Sequence, residues 1–108
     1  MRRLSIVLAA TMLAAGSANA ALDNASAEAM MKKDGCAACH SIDKKIIGPA
    51  YQDVAAKYKG DPGAAAKLIA KVKAGGVGVW GQIPMPPNST VSDADIKDLV
   101  TWILTLKK

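Results

Sequence analysis

The amino-acid sequence predicts an all-α domain of four or five short helices joined by long loops. Apolar residues recur at helical spacing in several segments, most clearly Ile96, Leu99, Val100, Ile103 and Leu104, a run at i, i+3, i+4, i+7 and i+8. Glycine and proline punctuate the chain between those segments. Nothing reads as a sustained alternating strand, and no internal repeat or linker is visible.

The first twenty residues are set apart. Arg2 and Arg3 make a basic start, Leu4 to Ala15 is an apolar run, and Ala18-Asn19-Ala20 is an A-x-A cleavage site. The run is short of the about 20 residues that span a bilayer. Residues 1–20 are therefore expected to be a cleaved secretory signal, and residues 21–108 one small domain. No later apolar stretch is long enough to cross a membrane, so the processed product is expected to be soluble.

In that domain a first helix is expected over residues 24–33. Asn24 or Ser26 caps it, Ala25, Ala29 and Met30 share a face, and Gly35 stops it. Pro49 suits the first turn of a second helix, whose face is Tyr51, Val54, Ala55 and Tyr58 and whose end is Gly60. Asp61 caps a third, with Ala65, Leu68, Ile69 and Val72 on one side and Gly75-Gly76 as its stop. The last begins at Ser92-Asp93-Ala94-Asp95, similar to a capping box. Asp93 and Asp95 sit at its positive end, and Lys107 and Lys108 are expected at its negative end. Leu99, Ile103 and Trp102 should cross Ala29 and Met30, with Trp102 in the core.

The chain has a formal net charge of +5 with 14 basic and 9 acidic residues. Beyond Arg2 and Arg3 every basic side chain but the single histidine is a lysine, spread without a long run. Nucleic-acid binding would want clustered Arg and Lys with aromatic platforms, and neither is present. A solvated lysine surface is the plain reading. The sharper one is a ring that steers an acidic partner, with Lys32, Lys33, Lys44 and Lys45 as its candidates.

Chemistry concentrates in Cys36-Ala37-Ala38-Cys39-His40, which holds the only two cysteines and the only histidine. C-x-x-C-H is the attachment signature of a c-type haem: each thiol can form a thioether to one vinyl group, leaving the imidazole as an axial ligand. A thioredoxin-like dithiol wants flanking strands. A zinc site wants about four N or S ligands. A structural disulfide gives His40 no role. There is no Phe, and only two Trp and two Tyr, so a large flat cofactor would supply hydrophobic bulk to a small domain. Attachment needs reduced thiols outside the cytoplasm, which makes the bacterial periplasm the natural compartment.

The second axial position decides between ligand binding and electron transfer. Of five methionines, Met1 and Met12 leave with the signal, and Met30 and Met31 lie on the helix before the attachment run. Met85 remains, in Ile83-Pro84-Met85-Pro86-Pro87-Asn88. Three prolines stiffen this loop, so it can hold a thioether near iron. A soft thioether favours Fe(II) and raises the reduction potential. The expectation is one haem ligated by His40 and Met85, cycling one electron, in a carrier rather than an enzyme.

Two motif matches are set aside. Gly76-Val77-Gly78-Val79-Trp80-Gly81 fits G-x-G-x-x-G, but Pro84, Pro86 and Pro87 forbid the helix that must follow. Asn88-Ser89-Thr90 fits a glycosylation acceptor and carries little weight in a bacterial-looking export product.

The chain resembles the small bacterial class I cytochromes c of the cytochrome c-551 (c8) type over essentially all of residues 21–108. The resemblance rests on Cys36-Ala37-Ala38-Cys39-His40, Gly48-Pro49-Ala50-Tyr51, Val54-Ala55-Ala56-Lys57-Tyr58, Gly75-Gly76-Val77-Gly78-Val79-Trp80-Gly81, Pro84-Met85-Pro86-Pro87-Asn88 and Leu99-Val100-Thr101-Trp102-Ile103-Leu104. It implies a cytochrome c fold, with the helices wrapped around a haem bound through Cys36 and Cys39 and ligated by His40 and Met85. It further implies that the Pro49 carbonyl takes the other imidazole N–H, that Trp80 meets a propionate, and that Asn88 holds the Met85 loop. A basic propionate partner of some relatives is replaced by Ile47. The partners implied are periplasmic redox proteins: a nitrite reductase or terminal oxidase as acceptor, in denitrification or aerobic respiration, or a bc-type donor. The carrier is expected to be a monomer. Two other classes stay in view: a haem enzyme with an open distal site, which would be high-spin and turn over peroxide, and a haem-free dithiol or metal-handling module, which would show titratable thiols and no visible band.

Overall fold

A computed structural model describes residues 22–108. The expected signal segment, residues 1–20, lies outside them. Among the described residues there are four α-helices: α1 (Asn24–Lys33), α2 (Tyr51–Lys57), α3 (Ala64–Ala74) and α4 (Asp93–Ile103), with a 3-10 turn at Cys36–Ala38. Helix α4 packs against each of the other three, and α1 against the 3-10 turn. The predicted all-α class therefore holds, organised around its last element.

Helix α4 has this place because it carries the widest apolar face. Ile96, Leu99, Val100, Trp102 and Ile103 are all buried, each burial stabilising by about 1.5–3 kcal/mol. Ser92 caps it as expected, its Oγ accepting from the Asp95 N–H at 3.1 Å. The helix stops at Ile103 with Leu104 as C-cap, so Lys107 and Lys108 do not sit in its last turn. Lys108 instead reaches α2, its Nζ 2.6 Å from Asp53 Oδ1.

The first helix spans Asn24–Lys33 as expected, but its cap is Asp23, one residue before the expected Asn24. Asp23 is extended (φ −70°, ψ 164°), and its Oδ1 accepts from the Ser26 N–H at 2.7 Å. The Asn24 side chain, relieved of capping, turns to α4, where its Oδ1 accepts the indole N–H of Trp102 at 3.1 Å. That contact joins α1 to α4 and fixes how α1 is rotated. Ala27 and Met31 are buried beneath it and Met30 packs beside them, while Ala25 and Ala29 face solvent. The face is helical as predicted but turned by two positions, so Trp102 and its neighbours cross Ala27 and Met31 rather than Ala29. Gly35 (φ 82°) ends the segment.

Pro49 lies outside α2, not in its first turn, because Ala50 is the N-cap. The N–H groups of Tyr51 and Gln52 donate to the Ser41 and Ile42 carbonyls at 2.9 and 3.0 Å, which satisfies helix donors that would otherwise lack partners. Gly63, rather than Asp61, is the N-cap of α3. Asp61 shapes the preceding turn: Oδ1 accepts from the Gly63 N–H and Oδ2 from Lys67 Nζ, both at 2.8 Å. Ala64, not Ala65, is buried alongside Leu68.

Candidate functional site

The attachment run is folded by local backbone bonds. The N–H groups of Cys39 and His40 both donate to the Cys36 carbonyl, at 3.1 and 2.9 Å. Cys36, Cys39 and His40 then line one cavity of about 350 Å³, walled by core side chains including Val54, Leu68, Leu99 and Ile103. The two thiols are not joined in a disulfide. Burial pushes the Cys36 thiol above its ordinary pKa, and a hydrogen bond with Tyr51 opposes the shift only in part. A redox dithiol or a metal site wants the opposite, a stabilised thiolate. Among the described residues no three His, Cys, Asp or Glu side chains gather as a metal cluster.

His40 is held on several sides. Its Nδ1–H donates to the Pro49 carbonyl at 2.8 Å, and since a carbonyl only accepts, the proton of this bond belongs to Nδ1, so that in the neutral ring the lone pair is on Nε2. The Tyr51 ring stacks on the imidazole, centroids 4.9 Å apart. Gly48 approaches so closely that a Cβ there would lie 2.5 Å from His40 Cε1. The same proline that shapes the chain before α2 thus also orients the imidazole.

Met85 lines the same cavity. Its loop is tied to the end of α3 by two backbone bonds: Gly76 N–H to the Met85 carbonyl at 2.9 Å, and Met85 N–H to the Gly76 carbonyl at 2.8 Å. Asn88 adds a second tie, donating both its backbone N–H (3.2 Å) and its Nδ2–H (2.9 Å) to the Val72 carbonyl. Trp80 also lines the cavity, 42% exposed, with Lys57 Nζ 5.5 Å from its ring centroid.

The cationic side chains in the wall are Lys45 and Lys71. Ile47 is half exposed at the rim, so the lack of a base at that position does not leave the cavity without one. Lys71 carries no signal of its own in the sequence, although its place beside Val72 and three positions after Leu68 puts it on the edge of the α3 apolar face. Of the other lysines flanking the run, Lys33 pairs with Asp95 at 3.3 Å.

Free thiols at C-x-x-C spacing, an imidazole with Nε2 unengaged, a thioether and an apolar cavity form a donor set that fits a covalently bound haem. Comparison with known proteins agrees. The Cytochrome c family model matches residues 24–107. Cytochrome c-551 of Allochromatium vinosum is 64% identical over 77 residues, which is 71% of this chain and 82% of that protein. Cytochrome c-552 of Nitrosomonas europaea is 52% identical over 104 residues, 96% of this chain and 95% of that one. The crystal structure of wild-type Nitrosomonas europaea cytochrome c552 superposes with a TM-score of 0.71 at 56% identity, over 74% of this chain and 99% of that chain. The chain belongs to the cytochrome c family, in its small class I c-551 type: electron carriers rather than enzymes, with a covalently bound haem c whose C-x-x-C-H motif is matched here by Cys36, Cys39 and His40.

Proposed function

We propose that the chain is a soluble periplasmic single-electron carrier whose haem iron is ligated by His40 Nε2 and Met85 Sδ. The observation that carries this reading is the His40–Pro49 bond: a fixed proton on Nδ1 presents Nε2 as a ligand in a cavity that Met85 also lines. Cys36 and Cys39 provide the thioether links. The bound haem supplies the one-electron couple. The chain's part is to fill both axial positions, keep water from the iron, and hold the ligands so that little rearranges on electron transfer. Asn88 steadies the Met85 loop through Val72, and Trp80 and Lys71, both in the cavity wall, are suited to meet anionic propionates. The A-x-A site at residues 18–20 supports export. The partners of this reading are periplasmic: a bc-type donor, and a nitrite reductase or terminal oxidase as acceptor.

The test is made on holoprotein. A sulfur-to-iron charge-transfer band in the oxidised form, with slow CO binding by the reduced form at neutral pH, is the expected result. A high-spin resting spectrum with rapid CO binding would overturn the His40/Met85 assignment.

A further inference from the structure

We propose that Gly75 is a positioning residue for Met85, its bare α-carbon serving as the surface on which the Met85–Pro87 backbone rests. This role rests on Met85 being the iron ligand. Gly75 closes α3 at φ 70° and ψ −163°, a combination that is essentially restricted to glycine. A Cβ at this position would run into the Met85 carbonyl oxygen, and would lie 2.8 Å from Pro87 N and 2.9 Å from the Pro86 carbonyl carbon. All three are backbone atoms in a segment stiffened by Pro86 and Pro87, so none can swing aside as the end of a flexible side chain would.

The obstructed oxygen is also the one that accepts from the Gly76 N–H. A side chain at position 75 would therefore press on the bridge that fixes where Met85 stands. Neighbouring and distant glycines differ. A Cβ at Gly76 would meet only Lys71, with Nζ nearest at 2.6 Å, and a lysine end moves easily. Gly60 shares a positive φ of 79°, yet a Cβ there would meet nothing within 4 Å. Gly60 shares with Gly75 only the sign of φ, whereas the ψ of −163° and the obstruction of the Met85 backbone belong to Gly75.

Three holoprotein variants separate these effects: Gly75→Ala, Gly60→Ala as the control for a positive φ without obstruction, and Met85→Ala as the ligand control. Gly75→Ala is expected to keep its haem but weaken the sulfur-to-iron band and speed CO binding by about tenfold or more, the factor by which local strain of this kind shifts a two-state loop. Gly60→Ala should keep both signals. A band that survives in Met85→Ala would overturn the ligand assignment itself. A band lost in Met85→Ala but unchanged in Gly75→Ala, with parental CO kinetics, would overturn the role of Gly75 alone. Should Gly75→Ala not accumulate, amide exchange in the parent decides. At constant pH, the Gly76 and Met85 amides should lose protection together with the band as urea is raised, and fast exchange at these two sites while the band is intact would sink the proposal.

Discussion

The ring of Tyr51 lies against that of His40, planes 20° from parallel, and at the same time meets Trp102 nearly edge-on at 6.0 Å with an interplanar angle of 87°. One buried tyrosine thereby connects the attachment run to α4. Burial, with the adjacent Cys36 and Cys39, drives its hydroxyl far above the ordinary value, so it stays neutral at any working pH. Tyr51→Phe keeps the stack and should cost less than about 1.5 kcal/mol in chemical denaturation. Tyr51→Ala should cost about 3 kcal/mol or more, and should broaden the low-spin spectrum as the imidazole loosens. Equal losses in the two variants would show that the hydroxyl, not the ring, matters.

The joint between α1 and α4 can be tested in the same way. The Trp102 indole is 1% exposed, and its N–H donates to Asn24 Oδ1. Asn24→Ala leaves that donor buried without a partner, at a cost of about 1–3 kcal/mol. Asn24→Asp keeps an acceptor and should cost less. Urea unfolding of the two variants distinguishes a lost hydrogen bond from lost packing.

What the sequence made legible was what is local. The C-x-x-C-H run, the proline-framed Met85 and the α4 periodicity each sit inside a few consecutive residues, so their spacing can be read directly, and so can the chemistry of the C-x-x-C-H run. The buried face of α1 could not be read this way. Asn24, Ala25 and Ala27 all suit a short helix, and the choice among them was made by Trp102 from the far end of the chain. Lys108 meeting Asp53 and Lys71 entering the cavity wall are likewise decided by tertiary packing. The Ser92 cap was legible because its hydrogen bond closes within three residues; the Asp23 cap carries the same signal but was displaced by two equally good cap residues after it.

The carboxyls of Asp34 and Asp95 give a pH prediction. Asp34 Oδ2 is buried without a hydrogen-bond partner. Its pKa is raised above the ordinary 3.8, first by burial and then by Asp95, with Lys33 opposing. Asp95 is shifted the other way, held low chiefly by the neighbouring Asp34 carboxyl, which can donate to it when protonated, and then by Lys33, against some desolvation. The facing charged groups are thus Asp95 and Lys33. A carboxyl whose folded pKa is raised contributes stability that is present below its unfolded pKa and lost as pH rises through the folded value. Asp34 therefore weakens the joint at neutral pH. Asp34→Asn removes the like-charge repulsion and keeps a donor for Asp95, so its Tm should exceed the parent's near pH 7 and converge with it below about pH 4. A constant offset across that range would mean the gain has another source.

Asn88 offers a further handle on the Met85 loop, independent of Gly75. Its backbone and side-chain N–H groups converge on one carbonyl, that of Val72, so the loop is anchored to the body of α3. Asn88→Ala removes the side-chain bond and leaves the backbone one. The expected cost is about 1 kcal/mol, read as a fewfold faster CO binding by reduced protein. Unchanged CO kinetics would confine Asn88 to a stabilising role away from the ligand.

The cationic wall bears on the reduction potential. Lys71 lines the cavity on α3, and with the proposed haem in that cavity its positive charge would disfavour the oxidised form, which carries the extra positive charge. Lys71→Gln should therefore lower the reduction potential, while Lys71→Arg should retain it because the charge is kept. A partly exposed charge is screened by salt, with a Debye length of about 10 Å at 0.1 M, so the difference between Gln and Lys should shrink as ionic strength rises. Voltammetry of the three proteins at low and high salt reads both effects. A drop in potential that ignores salt, or that Lys71→Arg shares, would point to altered packing around Gly76 rather than to the charge itself, since Lys71 Nζ also lies against that glycine.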